Sequence, residues 1–199
     1  KENTFTIGGA SFIGILVAPW VIWLMDDIGT NRFNIHLPMM QTMAAMMIAY
    51  AFGEGIGRLA CISFGCCYGK PLSQCSPLIQ KIFRRHYFVF YGKTKKIAYA
   101  HSYDETPVVP IQAVTATVYS LTGIVSCYLF LLGYSLISFT LALSVTQLWR
   151  VFSEVLRADD RGAGKISSYQ IMSLIACIYG PLTAYILHGS HPKIPSLVS

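Results

Sequence analysis

The sequence predicts an all-α, polytopic membrane protein with about five transmembrane helices. Two observations carry this. Of the 199 residues, 54% are hydrophobic and only 12% are charged, about half the charged fraction usual for a soluble domain, and the mean hydropathy is +0.51. The apolar residues also gather into five runs of about 20, the length that a helix rising 1.5 Å per residue needs to cross a bilayer.

These runs cover residues 6–25, 37–57, 108–132, 136–156 and 166–187. The first, TIGGASFIGILVAPWVIWLM, carries Gly8, Gly9 and Gly14, which favour close approach to a neighbouring helix. Trp20, Trp23 and Trp149 lie where interfacial aromatics anchor spans. Between the second and third runs lies an extramembrane head, residues 66–107, holding seven Lys and Arg residues. Within it, SPLIQKIFRRHYFVFYG reads either as a short amphipathic surface helix leading to a strand pair around FYGKTKK, or as a solvated basic loop. Residues 188–199 form a C-terminal tail, and the whole chain reads as one membrane-embedded domain. It opens on Lys1 rather than Met, so a preceding segment is expected.

The net charge of +6 would suggest nucleic acid in a soluble protein. Here the basic residues lie in loops between apolar runs, which points to anionic lipid head groups and excludes a nucleic-acid partner. Five spans put the N-terminus, the head and the 157–165 loop on one side, with 11 of the 15 Lys and Arg residues there and 2 on the other. By the positive-inside rule the basic side faces the cytoplasm.

Four charges fall inside or at the ends of spans, where each costs at least about 2.5–3.5 kcal/mol at the bilayer centre. Glu54 and Arg58 are i,i+4 on the second span, Arg150 and Glu154 are i,i+4 on the fourth, and Arg157 extends that face. Such charges either pair to hold an assembly together or bind a ligand. Two arginines near one end of the membrane suit a phosphate, because the guanidinium fork keeps its charge in apolar surroundings and offers paired donors. In lipid, that phosphate is a phospholipid head group. The six cysteines do not make a disulfide framework. Cys61, Cys66, Cys67 and Cys75 have the spacing C-x4-C-C-x7-C, which fits no common zinc pattern, so no metal is expected; Cys127 and Cys177 read as small apolar fillers.

The stretch GRLACISFGCCYGKP (57–71) resembles the arginine motif of the prolipoprotein diacylglyceryl transferases, GRxGNFxNGExxGxP, in a variant with Cys for Asn and a Gly-Cys-Cys-Tyr-Gly ending. The resemblance continues in order. GGASFIG (8–14) is similar to the family's GGMSFHG, and VVPIQAV (108–114) to HPSQLYE. WRVFSEVLRADDRG (149–162) is similar to its R-x-x-x-E-x-x-R run, and ISSYQIMSL (166–174) to S-x-G-Q-x-L-S.

The resemblance implies seven helices in the full fold, two of them before Lys1, and no cofactor. It implies transfer of diacylglyceryl from phosphatidylglycerol to the thiol of a lipobox cysteine in a preprolipoprotein, with glycerol phosphate released. It implies a bacterial cytoplasmic (inner) membrane, with the head and active site on the extracytoplasmic side, opposite to the loop-charge reading. Carried over, Arg58 and Arg150 would hold the phosphate and Glu154 would orient Arg150. Cys61, Gly65, Tyr68, Gly69, Gln112 and Arg157 would form the substrate site.

The chain departs from the family at Ile13 (a family His and proposed base), Cys61 (Asn), Thr115 (Glu) and Thr146 (Tyr). His101 and Asp104, with Glu105 beside them, are the candidate replacement bases. Two main functional readings stay open: a transferase with a lipoprotein or changed acceptor, or a non-catalytic membrane subunit that binds phospholipid or lipoprotein. A transporter reading has only the intramembrane charges behind it.

Overall fold

A computed structural model describes residues 7–158 and 167–188. Residues 159–166, which include Arg161 and Lys165 of the expected loop, and the residues of the expected tail after 188 lie outside the described residues. Among the described residues seven α-helices form: α1 (Ile7–Phe33), α2 (Met39–Phe64), α3 (Pro77–Phe83), α4 (Lys96–His101), α5 (Ile111–Leu131), α6 (Ser135–Leu156) and α7 (Ser168–His188). Five of them, α1, α2, α5, α6 and α7, are long and apolar enough to cross a membrane.

The bundle is apolar on the outside. Trp20, Ile56, Phe64, Leu121 and Ile178 are among many large apolar side chains left exposed, the arrangement expected where lipid replaces water around the protein. Several serines and threonines face inward instead, and most of their hydroxyls bond within the bundle, the buried Ser126 hydroxyl being an exception. Thr115, Thr122 and Thr146 donate to carbonyls one turn back on their own helices. Between helices, Ser138 donates to the Ser126 carbonyl at 2.7 Å and Tyr119 to the Thr146 carbonyl at 2.9 Å. With no water in the hydrocarbon, such bonds hold α5 and α6 together where a hydrophobic drive cannot.

α2 packs on α5 and α6, α5 on α6, and α7 joins α6 to α1. One core cluster gathers the methionines of the first half of α2 (Met39, Met40, Met43, Met47) against Phe139, Ala142 and Leu143 of α6. α1 and α2 each outrun the expected spans. α1 continues to Phe33, because buried Asp26 bonds the Leu37 amide (2.7 Å) and pairs with His36 (2.8 Å), tying the helix end to the following turn. α2 continues past Gly57 to Phe64, so Arg58 lies six residues inside the helix rather than at its end, about 9 Å along the axis.

The end of α2 is a Schellman motif. Gly65 takes the left-handed conformation (φ 59°, ψ 34°); its amide bonds the Ile62 carbonyl and the Cys66 amide bonds the Cys61 carbonyl. Past that turn, the head is organised by an extended stretch, residues 68–72. On one side it bonds the end of α6, through Lys70 N to Leu156 O and Ala158 N to Tyr68 O. On the other it bonds the segment before α5, through Val109 N to Lys70 O and Leu72 N to Pro107 O. Phe88 pairs with Val108 beyond it.

Tyr68, Phe90, Ile97 and Val108 form a second core in the head. The expected surface helix shrinks to the seven residues of α3, and the expected strand pair around FYGKTKK is a turn (Lys95 N to Gly92 O) that feeds α4. The basic residues there make a short local turn before Ile97 is drawn into the head core.

Gly69 sits where two backbones meet: a Cβ there would lie 2.4 Å from the Val109 carbonyl oxygen. Neither backbone can yield, since both are bonded across the junction. Gly69→Ala is therefore expected to destabilise the protein by about 1–3 kcal/mol, read as a lower unfolding midpoint in detergent. An unchanged midpoint would show that the junction is looser than drawn.

Candidate active site

α2 and α6 both end at the head and α5 begins there. At that end their inward faces form a narrow polar pocket with about 20 Å³ of internal space. Arg58, Arg150, Glu154 and Arg157 line it together with Gln112, Thr115 and Tyr119. The chemistry is thus assembled from three helices: of the two i,i+4 pairs expected from the sequence, Arg150 and Glu154 both line the pocket, while Glu54 reaches it only through Arg58.

Each arginine is held differently. Arg58 donates to Glu54 Oε2 at 2.8 Å, both side chains being largely buried. Arg150, also six residues from the end of its helix, donates through Nη1 to Ser11 Oγ and to Tyr50 OH, each at 3.1 Å. α1 and α2 thereby fix the orientation of a guanidinium on α6. Tyr50, Glu54 and Arg58 share one face of α2 at i, i+4 and i+8, so that periodicity was the signal that could have found Tyr50. Ser11 stands inside GGASFIG, but its role needed α1 to be placed against α6.

Arg157 is the residue after α6, already extended (ψ 149°), and is bridged by its backbone to Gly69. Gly69 serves the pocket in this way, as the close contact that sets Arg157's strand. Gly65 likewise acts from behind: a Cβ there would meet Lys95 at 2.8 Å, in a left-handed turn already costly for other residues. Gln112 is 1% exposed. Its Nε2 donates to the Cys66 carbonyl at 3.0 Å, which fixes the amide's orientation because a carbonyl only accepts. Its Oε1 is then buried with no hydrogen-bond partner, an acceptor in the wall of the arginine pocket.

Not every expected site residue comes to the pocket. Tyr68 is fully buried in the head core, with its hydroxyl against His101 Nδ1. His101 also stacks on Tyr103 (5.7 Å between ring centres), and Asp104 is exposed in the loop that follows. Tyr68, His101 and Asp104 do not line the pocket. Ile13, at the family histidine position, is 54% exposed on the outer face of α1. Thr115, at the family glutamate position, has its hydroxyl engaged twice, donating to Ile111 O and accepting from Trp149 Nε1.

The cysteines differ most from expectation. Cys61, Cys66 and Cys67 bring their three sulfurs within 4.8 Å of one another, and Cys67 also lines the arginine pocket. All six cysteines are free thiols. Burial pushes the Cys66 and Cys75 thiols up from the ordinary cysteine range, so neither is a resting thiolate.

Farther along the bundle lies an apolar groove of about 200 Å³, lined by Gly14, Ala18 and Pro19 of α1, by Met43, Met46 and Met47 of α2, and by Phe139. Ser11 and Tyr50, the two partners of Arg150, also line it. The charged pocket and the oily groove are thus linked through the hydrogen bonds of Arg150.

The fold and site define a multi-pass membrane protein with a two-arginine pocket at one end of its helices. The chain belongs to the prolipoprotein diacylglyceryl transferase family: the family's model matches residues 3–186. Membership gives it a prolipoprotein diacylglyceryl transferase-like function, in lipoprotein biogenesis, at a membrane. No curated protein and no solved structure matches it.

Proposed function

We propose that this protein transfers the diacylglyceryl group of phosphatidylglycerol to the thiol of a lipobox cysteine, in a bacterial cytoplasmic membrane, with the pocket on the extracytoplasmic side. The observation that carries the reading is the junction just described. Arg58 and Arg150 share one pocket, and the partners of Arg150 open onto an apolar groove. An anionic head group and acyl chains need those two environments linked.

In this reading the lipid phosphate lies between Arg58 and Arg150, and the acyl chains lie in the groove between α1 and α2. The buried Gln112 Oε1 accepts a hydroxyl of the head-group glycerol, a donor that a bare phosphate ester lacks. The acceptor thiol loses its proton to Glu154, the carboxylate lining the pocket. The thiolate attacks the glyceryl carbon, a C–S bond forms, and the C–O bond to phosphate breaks. The departing glycerol phosphate carries the negative charge that the two guanidinium groups are placed to stabilise.

One observation favours a second reading, a subunit that binds lipid without turnover. At the family's glutamate position Thr115 is fully engaged in the bundle, and at its histidine position Ile13 faces outward.

The two readings separate in one experiment. Purified full-length protein in nanodiscs receives phosphatidylglycerol labelled in the head-group glycerol, together with a lipobox peptide. Release of labelled glycerol phosphate, with a matching diacylglyceryl mass increase on the peptide cysteine, is the expected result. Saturable lipid binding without release, across several lipobox peptides, would overturn the transferase reading in favour of the binding subunit.

A further inference from the structure

The C-x4-C-C spacing fails as a zinc pattern because zinc pairs usually sit on turns between strands or on a helix start. At the end of α2 a different rule applies. A Schellman motif bonds the residue two past the helix end back to the residue three before it, and brings their side chains together. Those residues are Cys66 and Cys61, with the amide-to-carbonyl bond at 3.1 Å. Cys67 follows at φ 54°, a left-handed conformation unusual for a residue with a side chain, and its sulfur joins the other two. The result is three sulfurs mutually within 4.8 Å. With a metal about 2.3 Å from each sulfur, a trigonal thiolate site has its sulfurs about 4 Å apart, so closure requires movement of less than about 1 Å.

We propose that Cys61, Cys66 and Cys67 form a binding site for one soft monovalent d10 metal ion, Cu(I) in type. Thiolates select such ions, and three of them complete a trigonal shell, whereas Zn(II) takes four ligands. Binding exchanges three thiol protons for the ion: three S–H bonds break, three S–metal bonds form and no electrons are transferred. The resulting cluster has a net charge of −2. Arg58 and Cys67 line the same pocket, so a guanidinium faces the space next to the cluster. Neither this site nor its test depends on whether the arginine pocket transfers lipid.

The test uses reduced full-length protein in nanodiscs, with Cu(I) delivered against a chromogenic Cu(I) chelator. One equivalent is expected per chain, with sulfur-to-copper charge-transfer absorption in the ultraviolet. Bound copper should protect Cys61, Cys66 and Cys67 from alkylation, mapped by peptide mass, while Cys75 stays reactive; this arm needs no variant. Cys61→Ser, Cys66→Ser and Cys67→Ser should each weaken the affinity at least tenfold, Cys75→Ser should leave it unchanged, and the affinity should fall as pH is lowered because protons compete. Equal copper uptake by the triple serine variant would overturn the site. So would Zn(II) binding without Cu(I) binding, or a Cys61 disulfide to Cys66 or Cys67 in protein whose reduced form takes no copper.

Discussion

Arg58→Ala and Arg150→Ala should each lower kcat/KM for glycerol phosphate release by about 10²–10³-fold, the loss typical when one donor aimed at developing charge is removed. Lysine should restore only part of this at either position, since it keeps the charge but not the paired donors of the guanidinium fork. The two positions should differ in a second readout. Arg150 is oriented by neutral hydroxyls from Ser11 and Tyr50, so its removal leaves no unpaired charge among those bonds and should affect turnover more than folding. Ser11 and Tyr50 also border the apolar groove, so Tyr50→Phe should raise KM for the lipid as well as lower kcat. If Arg58→Ala and Arg150→Ala both folded and retained full release, the phosphate would have to lie elsewhere.

Glu54→Gln should produce the largest loss of stability, about 3 kcal/mol or more. Glu54 and Arg58 pair at 2.8 Å with side chains only 16% and 17% exposed, and breaking such a pair from one side leaves the other charge uncompensated in a low-dielectric setting. The measurement is the unfolding midpoint in detergent, with lipid absent so that no phosphate substitutes for the carboxylate. The double variant Glu54→Gln/Arg58→Met removes both charges and should recover most of the lost stability, because a well-packed apolar replacement of an ion pair is often neutral. It should remain inactive. Stability would then recover while activity did not, which no purely structural role for Arg58 explains. A double variant as unstable as the single one would argue against the pair as the cause.

Much of the fold was legible because lipid imposes one strong rule. A spanning segment must satisfy its own backbone and be apolar for about 20 residues, and that rule reads directly from the chain. It found all five spanning helices. It placed their ends less well, since α1 and α2 run on past the apolar windows, held by Asp26 at one end and by the Gly65 turn at the other. The head was less legible still. Its extended stretches bond residues 68–72 to the end of α6 and to the segment before α5, partners far apart in sequence with no local periodicity to announce them.

The site divides along the same line. Helical spacing alone put Glu54 with Arg58 and Arg150 with Glu154 on shared faces, because i and i+4 are neighbours on any helix. It also made intramembrane charge the first place to look, since such charge is too costly to be idle. Only the tertiary structure decided that α2, α5 and α6 turn those faces toward one space. It also decided that Ser11 and Tyr50 hold Arg150, that Tyr68 and His101 belong to the head core, and that three cysteines meet at a helix end. Spacing reports what one helix does with its own residues; which faces meet is set by the packing of whole helices and by the turns that join them.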